Sequence, residues 1–142
     1  MNKNVHLCQD IPYIKALLHK VYDEVAYDNS PSLDDFEPQG VWFILTDGNQ
    51  IAGLINLMPL NNMTWMPHII IHEEYRGKNS YEWGNQVVEI MKKLYKAEKF
   101  LAFTPYKTAK KYAEKMGFKQ IAVLPNSIKK NGAVLDQYIL EL

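Results

Sequence analysis

The feature that most constrains the fold is a change in the spacing of apolar residues along the chain. Between Ile14 and Val21 they recur every three to four positions, as on one face of a helix. From Val41 to Ile71 the spacing falls to two, and turn residues divide this stretch into three strands. Consecutive strands joined by such short turns pair antiparallel. The chain therefore combines an antiparallel meander with helices that need a sheet to pack against.

The whole pattern predicts eleven elements in the order β-α-α-β-β-β-α-β-α-β-β. The predicted helices span about residues 11–25, 32–36, 80–95 and 108–116. The predicted strands span about residues 4–7, 41–46, 50–58, 63–71, 100–103, 119–123 and 134–140. This order favours an α/β class with one mixed, mostly antiparallel sheet of about seven strands and helices on both faces. No linker or repeat interrupts it, so we expect residues 1–142 to form a single domain.

Composition narrows the functional classes. The chain carries 16 basic and 16 acidic side chains, so nothing indicates general affinity for nucleic acid. Its longest apolar run, 41–45, is far shorter than the ~20 residues of a membrane span, and we expect no secretory signal at the N-terminus. The single cysteine, Cys8, excludes an internal disulfide, and the four histidines show no zinc-binding spacing. We expect a cytoplasmic protein without a metal, a membrane or a nucleic-acid partner.

Charge is unevenly distributed along the chain. Residues 1–71 carry three lysines and eight acidic residues, whereas residues 72–142 carry thirteen basic and eight acidic residues. The only arginine is Arg76. Such a split suggests that one half faces an anion and the other a cation. The alternative, that the charges simply lie on solvated faces, stays open at this point.

A tight turn separates a buried strand from the longest predicted helix. Its residues are Arg76-Gly77-Lys78-Asn79. At a turn that opens a helix, backbone N–H groups and the positive end of the helix dipole point at one spot, where phosphate oxygens bind well. Arg76 and Lys78 add positive charge. The turn is therefore a candidate site for a phosphate-bearing ligand.

The element order and two motifs resemble the GNAT superfamily of N-acetyltransferases. The stretch Ile69 to Lys78, IIIHEEYRGK, is similar to the end of that family's fourth strand and the start of its pyrophosphate loop. The stretch Ala109 to Phe118, AKKYAEKMGF, looks like the family's penultimate helix. Phage-encoded members often share the Thr104-Pro105 pair and a late Asn131-Gly132 turn followed by Asp136, so the resemblance extends to them.

The resemblance implies an acyl-CoA-dependent N-acyltransferase that moves an acyl group from acetyl-CoA to an amine, a small molecule or a protein. No activated Cys or Ser is visible, which favours direct transfer. The implied cofactor-binding residues are Ile70, Ile71, Arg76, Gly77, Lys78, Asn79, Ser80 and Tyr81. The catalytic candidates are His68 as base, Glu73 as an alternative base, and Tyr112 as proton donor to the leaving sulfur. A homodimer is compatible with this interpretation.

Several alternatives stay open. Each catalytic candidate has an ordinary structural interpretation: a strand histidine, a solvated loop carboxylate and a packed helical tyrosine. The acidic residues Asp34, Asp35 and Glu37 either attract a cationic amine or form a surface run. Asn79 and Tyr81 occupy positions where the family usually has small residues, and Tyr112 precedes by one residue the position of its frequent tyrosine. The alternative function is therefore a GNAT-fold protein without turnover, with a binding or structural role in a phage virion or toward a host.

Overall fold

A computed structural model describes residues 2–142. The strands are β1 (Lys3–Cys8), β2 (Val41–Asp47), β3 (Gln50–Pro59), β4 (Thr64–Ile71), β5 (Lys99–Thr104), β6 (Lys119–Lys130) and β7 (Ala133–Glu141). The helices are α1 (Ile11–Leu18), α2 (Tyr22–Val25), α3 (Tyr81–Leu94) and α4 (Lys107–Lys115), and a 3-10 turn covers Glu73–Tyr75. The described strands form one sheet in the order β1-β2-β3-β4-β5-β7-β6. The predicted fold class is confirmed.

The sheet opens between its two central strands. β4 and β5 run parallel and pair through Thr64 with Lys99 and Trp65 with Phe100. The strands on either side pair antiparallel. Beyond Trp65, β4 continues along β3, while β5 continues along β7. The two central strands therefore diverge and leave a V-shaped gap in the sheet.

Helices cover the two faces of the sheet, and each face has its own apolar core. One core joins α1 to β2, β3 and β4 and contains Ile14, Leu18, Val21, Trp42, Ile44, Leu54 and Ile70. The other core joins α3 and α4 to the opposite face, around Trp83, Phe43 and Phe100. Ile70 and Ile71 are each 7% exposed and belong to different cores. The end of β4 is thus covered on both faces of the sheet.

Two predicted helices before the meander are wrong. The predicted helix over 11–25 ends at Leu18, where the Val21 N–H bonds the Leu18 carbonyl at 2.9 Å and tightens the turn before the short α2 begins. The predicted helix over 32–36 is a single turn, in which the Phe36 N–H bonds the Ser32 carbonyl at 2.8 Å. A proline on each side of that turn, Pro31 and Pro38, limits its extension.

The second half of the chain follows its sequence pattern more closely. Asn79 has φ 63° and Gly117 has φ 104°, the left-handed conformations expected of the turn before α3 and the end of α4. The apolar stripe of α3 is buried at Trp83, Val87, Val88 and Met91, whereas Leu94 at the end of the helix is 64% exposed. β6 extends to Lys130, well past the predicted end at residue 123, because it pairs with β7 along a long hairpin. No helix within residues 2–142 is long and apolar enough to cross a membrane.

His72, at the end of β4, is a buried histidine with an unsatisfied ring nitrogen. It is 7% exposed, and its Nε2 has no hydrogen-bond partner among the described residues. Burial lowers the pKa of His72, and the Lys20 ammonium lowers it further, whereas Glu74, the Ile51 backbone and Glu24 act in the opposite direction. The folded state therefore favours the neutral imidazole.

We expect the free energy of unfolding to fall as the pH drops below about 6.5, the unperturbed pKa of histidine, and His72→Leu to reduce this dependence. Because the folded pKa is depressed, the stability is present above the unfolded pKa and is lost as the pH falls toward the folded value. One proton limits the slope to about 1.4 kcal/mol per pH unit. Denaturant titrations at about pH 7.5 and 5.5 measure it. Identical slopes in wild type and variant would contradict the assignment to His72.

Candidate active site

The free edge of β4 forms one wall of the gap. The Met63 carbonyl accepts from the N–H groups of Glu98 and Lys99 at 2.9 and 3.0 Å, so this odd-numbered residue turns toward β5. The His72 N–H donates to the Ala52 carbonyl of β3 at 2.8 Å, so this even-numbered residue turns the other way. Backbone groups alternate along a strand. Odd-numbered residues of β4 therefore point their N–H and carbonyl groups into the gap.

This alternation divides the isoleucine run. Ile69 and Ile71 present their backbone to the gap, whereas Ile70 lies opposite Leu54 and turns its backbone toward β3. Two of the predicted cofactor contacts, Ile70 and Ile71, lie on β4. Ile71 turns its backbone to the gap, whereas Ile70 contributes its side chain to the core under α1. Ile69 was missed. Its signal was Pro67, which cannot donate to a ladder and so places the odd-numbered residues at the unpaired edge.

The turn after β4 has an unusual backbone. Gly77, Lys78 and Asn79 have φ values of 79°, 50° and 63°, three left-handed residues in succession. The Ser80 N–H then bonds the Gly77 carbonyl at 2.9 Å, and α3 begins at Tyr81. Left-handed conformation costs a non-glycine residue about 1–2 kcal/mol. A turn that holds this strain at the start of a long helix is typical of a site that binds an anion through backbone N–H groups.

Arg76 braces this turn. Its Nε donates to the Ile71 carbonyl at 2.9 Å, and its Nη2 lies 2.7 Å from the Glu24 carboxylate of α2. The guanidinium therefore occupies one carbonyl of the gap edge and ties the turn to the opposite layer of helices. The predicted positive charge of Arg76 is therefore partly balanced by Glu24. Lys78 is exposed and supplies the remaining positive charge of the turn.

Tyr112 joins α4 to the start of α3. Its hydroxyl donates to the carbonyl of the buried Ser80 at 2.8 Å. Burial raises the pKa of Tyr112, so the phenol keeps its proton at neutral pH. The close approach of the helices also explains Gly84, because a Cβ there would lie 2.5 Å from the Met116 sulfur and 3.2 Å from the Tyr112 oxygen. Tyr81 is half-buried in the first turn of α3.

His68 lies on β4 two residues before Ile70, on the same face of the sheet. It is opposite Asn56, a buried residue of β3 whose side-chain amide donates to the Gln39 and Val41 carbonyls at 2.8 and 3.2 Å. The imidazole is reached by solvent, yet desolvation by the protein around it lowers the pKa of His68. A neutral, accessible imidazole beside an open sheet edge can accept a proton.

The acidic candidates are all exposed. Glu73 is exposed in the 3-10 turn after β4. Asp34, Asp35 and Glu37 are exposed on the segment between α2 and β2, where Asp35 accepts from the Ser32 hydroxyl at 3.0 Å. Within residues 2–142 no three His, Cys, Asp or Glu side chains are grouped to hold a metal ion. The geometry thus brings together the β4 edge, the turn and His68.

The chain resembles known proteins in its structure. No protein-family model matches the sequence, and no curated protein matches it. Among solved structures, a spermidine N-acetyltransferase from Vibrio cholerae in complex with CoA and spermine superposes with a TM-score of 0.80 at 17% identity, covering 99% of this chain and 95% of that one. A ribosomal-protein-S5-alanine acetyltransferase from Vibrio fischeri also gives 0.80 at 17% identity, covering 100% and 93%. These likenesses establish that the chain shares the fold of these two acetyltransferases.

Proposed function

We propose that this protein is an acetyl-CoA-dependent N-acetyltransferase that moves the acetyl group directly to an amine. The observation that carries the proposal is the continuous path from the unpaired edge of β4 to the left-handed turn at 77–79. An extended ligand with amide groups fits the unpaired edge of β4, because it can pair there like an added strand. A pyrophosphate fits the turn. The similar spermidine N-acetyltransferase was solved with CoA, which supports the same ligand here.

The residues of the gap supply the groups that acetyl transfer needs. The N–H and carbonyl groups of Ile69 and the N–H of Ile71 would hold the amide-bearing arm of the cofactor. The N–H groups of the turn, with Lys78, would hold its phosphates. As the amine nitrogen bonds to the thioester carbonyl carbon, its proton passes to His68 and the carbon–sulfur bond breaks. The sulfur leaves as the thiolate or takes a proton to become the thiol.

Tyr112 stays a prediction as the source of that proton. Its raised pKa suits a proton donor, but its hydroxyl proton is shared with the Ser80 carbonyl. In the proposed enzyme it also holds α4 against the start of α3 and so keeps the turn in shape. Glu73, acting through water, stays the alternative base. A cytoplasmic location, a homodimer and a phage origin likewise stay predictions from the sequence.

Calorimetric titration with acetyl-CoA tests the proposal, and Arg76 provides its sharpest variant. We expect Arg76→Ala to weaken acetyl-CoA binding by about 1.5–3 kcal/mol, because a charge-assisted brace of the turn is lost. Glu24→Gln removes the charge of one partner and leaves the bond to Ile71, so it should cost less. Equal affinity of wild type and Arg76→Ala would show that the turn does not hold the cofactor.

A binding protein without turnover is the second candidate function. It is favoured by Tyr81, a bulky side chain in the first turn of α3, and by the engaged hydroxyl of Tyr112. Under this alternative the protein binds acetyl-CoA, or no CoA at all, and releases no free CoA with any amine. A thiol assay across an amine panel separates the two functions.

A further inference from the structure

On one face of the sheet, the apolar core under the helices does not extend beyond the gap. The core under α1 and α2 contains described residues of β1 to β4 and none of β5, β6 or β7. On the other face, Phe100 of β5 and Leu140 of β7 pack against α3 and α4. Because side chains alternate along a strand, the odd-numbered residues of β5 and β7 point toward the side of α1 and α2. That is also the side on which His68 lies.

This surface, the acceptor wall, consists of Leu101, Phe103, Ile128, Leu135, Gln137 and Ile139. Each of them is partly buried, and within the described part of the chain none belongs to either core. Lys130 of β6 pairs with the odd-numbered Ala133 and reaches α2, which supports the assignment of this face. A contiguous apolar surface of this kind, with one amide, indicates a binding site.

The charges at the ends of the wall are already compensated. At the end where β4 and β5 meet, Lys99 and Glu141 form an ion pair at 2.7 Å. At the opposite end the Lys130 ammonium donates to the carbonyls of Asp23, at 2.7 Å, and of Ala26. Between these ends the wall offers no carboxylate. A second cation on a ligand would lose its water there without gaining a partner.

A strap closes the far end of the wall. The strap consists of two sets of hydrogen bonds. In the first, the Lys130 ammonium binds the carbonyls named above. In the second, the Asp28 carboxylate accepts from the Asn131 and Gly132 N–H groups at 2.6 and 2.8 Å. The tip of the β6–β7 hairpin is thus fastened to the segment after α2. With β4 on one side and this strap at the end, the wall accommodates a small molecule better than a protein surface.

We propose that the acyl acceptor is a small primary amine with an apolar or aromatic body and no second cationic group. This rests on the proposed function. The body would lie on the acceptor wall and the amine would point toward His68. Of the acidic residues on the segment after α1, Glu24 is paired with Arg76 and Asp28 is used by the strap. Asp34 lies at α1, where its carbonyl accepts from Lys15, and Asp35 accepts from Ser32. The acceptor would then differ from the polyamine of the similar Vibrio cholerae enzyme.

Acetyl transfer to 2-phenylethylamine and to spermidine tests the proposal. We expect kcat/KM to be at least about 10-fold higher for 2-phenylethylamine, which corresponds to about 1.4 kcal/mol. Ile139→Asp should reduce that preference at least about 10-fold, because it places a carboxylate on the wall. Val134→Asp is the matched control, since Val134 is exposed on the opposite face of the same strand and should leave the preference unchanged. Both variants should bind acetyl-CoA like the wild type.

Each result is decisive for one of the two proposals. Spermidine used as well as 2-phenylethylamine, or an unchanged preference in Ile139→Asp, overturns the acceptor assignment. If acetyl-CoA does not bind, the proposed function fails, and saturation-transfer NMR with 2-phenylethylamine still tests the wall. If acetyl-CoA binds but 2-phenylethylamine gives neither product nor an NMR signal of binding, the acceptor assignment fails and the cofactor site stands.

Discussion

His68→Gln is expected to lower kcat for acetyl transfer by about 10²- to 10⁴-fold, the usual contribution of a positioned general base. Glutamine keeps a polar side chain of similar reach but does not titrate. Since desolvation lowers the pKa of His68, the imidazole is neutral at neutral pH. The wild-type rate should therefore rise with pH through an ionisation below the ordinary value of about 6.5, and the variant should lose this limb of the profile.

Two measurements keep this result specific to catalysis. Acetyl-CoA affinity should be unchanged in His68→Gln, because only the odd-numbered residues of β4 turn their backbone to the gap. His68 is even-numbered and lies opposite Asn56 of β3, so it contributes only its side chain. His6→Gln is the matched control, since His6 is an exposed histidine of β1 at the far edge of the sheet. Near-normal turnover of His68→Gln with the wild-type pH profile would exclude it as the base. Glu73 acting through water would then be the leading candidate.

The order of the elements could be predicted because most of them have long periodic patterns. The strands from Val41 to Ile71 are short apolar stretches separated by turn residues, and the helix after Asn79 buries one regular stripe, so in both cases the pattern determines the element. Between residues 19 and 36 the elements are one turn long. Their shape depends on local hydrogen bonds such as Val21 to Leu18, which periodicity does not reveal.

The candidate site was predictable in its location but not in its contacts. The turn at 76–79 and the strand before it were recognisable from local residue types. The hydrogen-bond partners of Arg76 and Lys130 were not recognisable, because Glu24 is 52 residues from Arg76 and Asp23 is 107 residues from Lys130. Such pairs arise from the topology, which brings α2, the turn and the hairpin tip together. The backbone orientation of Ile69 and Ile70 is a different case, because Pro67 already indicated that the odd-numbered residues of β4 face the unpaired edge.

We expect Gly53→Ala to lower the free energy of unfolding by about 3 kcal/mol or more, near the upper end of the usual range for overpacking. Gly53 of β3 lies opposite Ile71, beside the stretch of β4 that borders the gap. A Cβ at this position would lie 2.1 Å from the Ile70 carbonyl oxygen and 2.9 Å from the Ile71 Cα. Both are backbone atoms, so no side-chain rotation relieves the clash, and β4 itself must move.

The displacement of β4 in Gly53→Ala should also weaken acetyl-CoA binding, because β4 carries both Ile71 and His68. Denaturant titration measures the stability, and calorimetry with acetyl-CoA measures the cofactor site in the protein that stays folded. Gly132→Ala is the control. Its Cβ would meet nothing within 4 Å, and only the left-handed φ of 79° opposes it, at a cost of about 1–2 kcal/mol. If Gly53→Ala costs no more than Gly132→Ala and binds acetyl-CoA normally, β3 and β4 are not in the close contact that positions the gap edge.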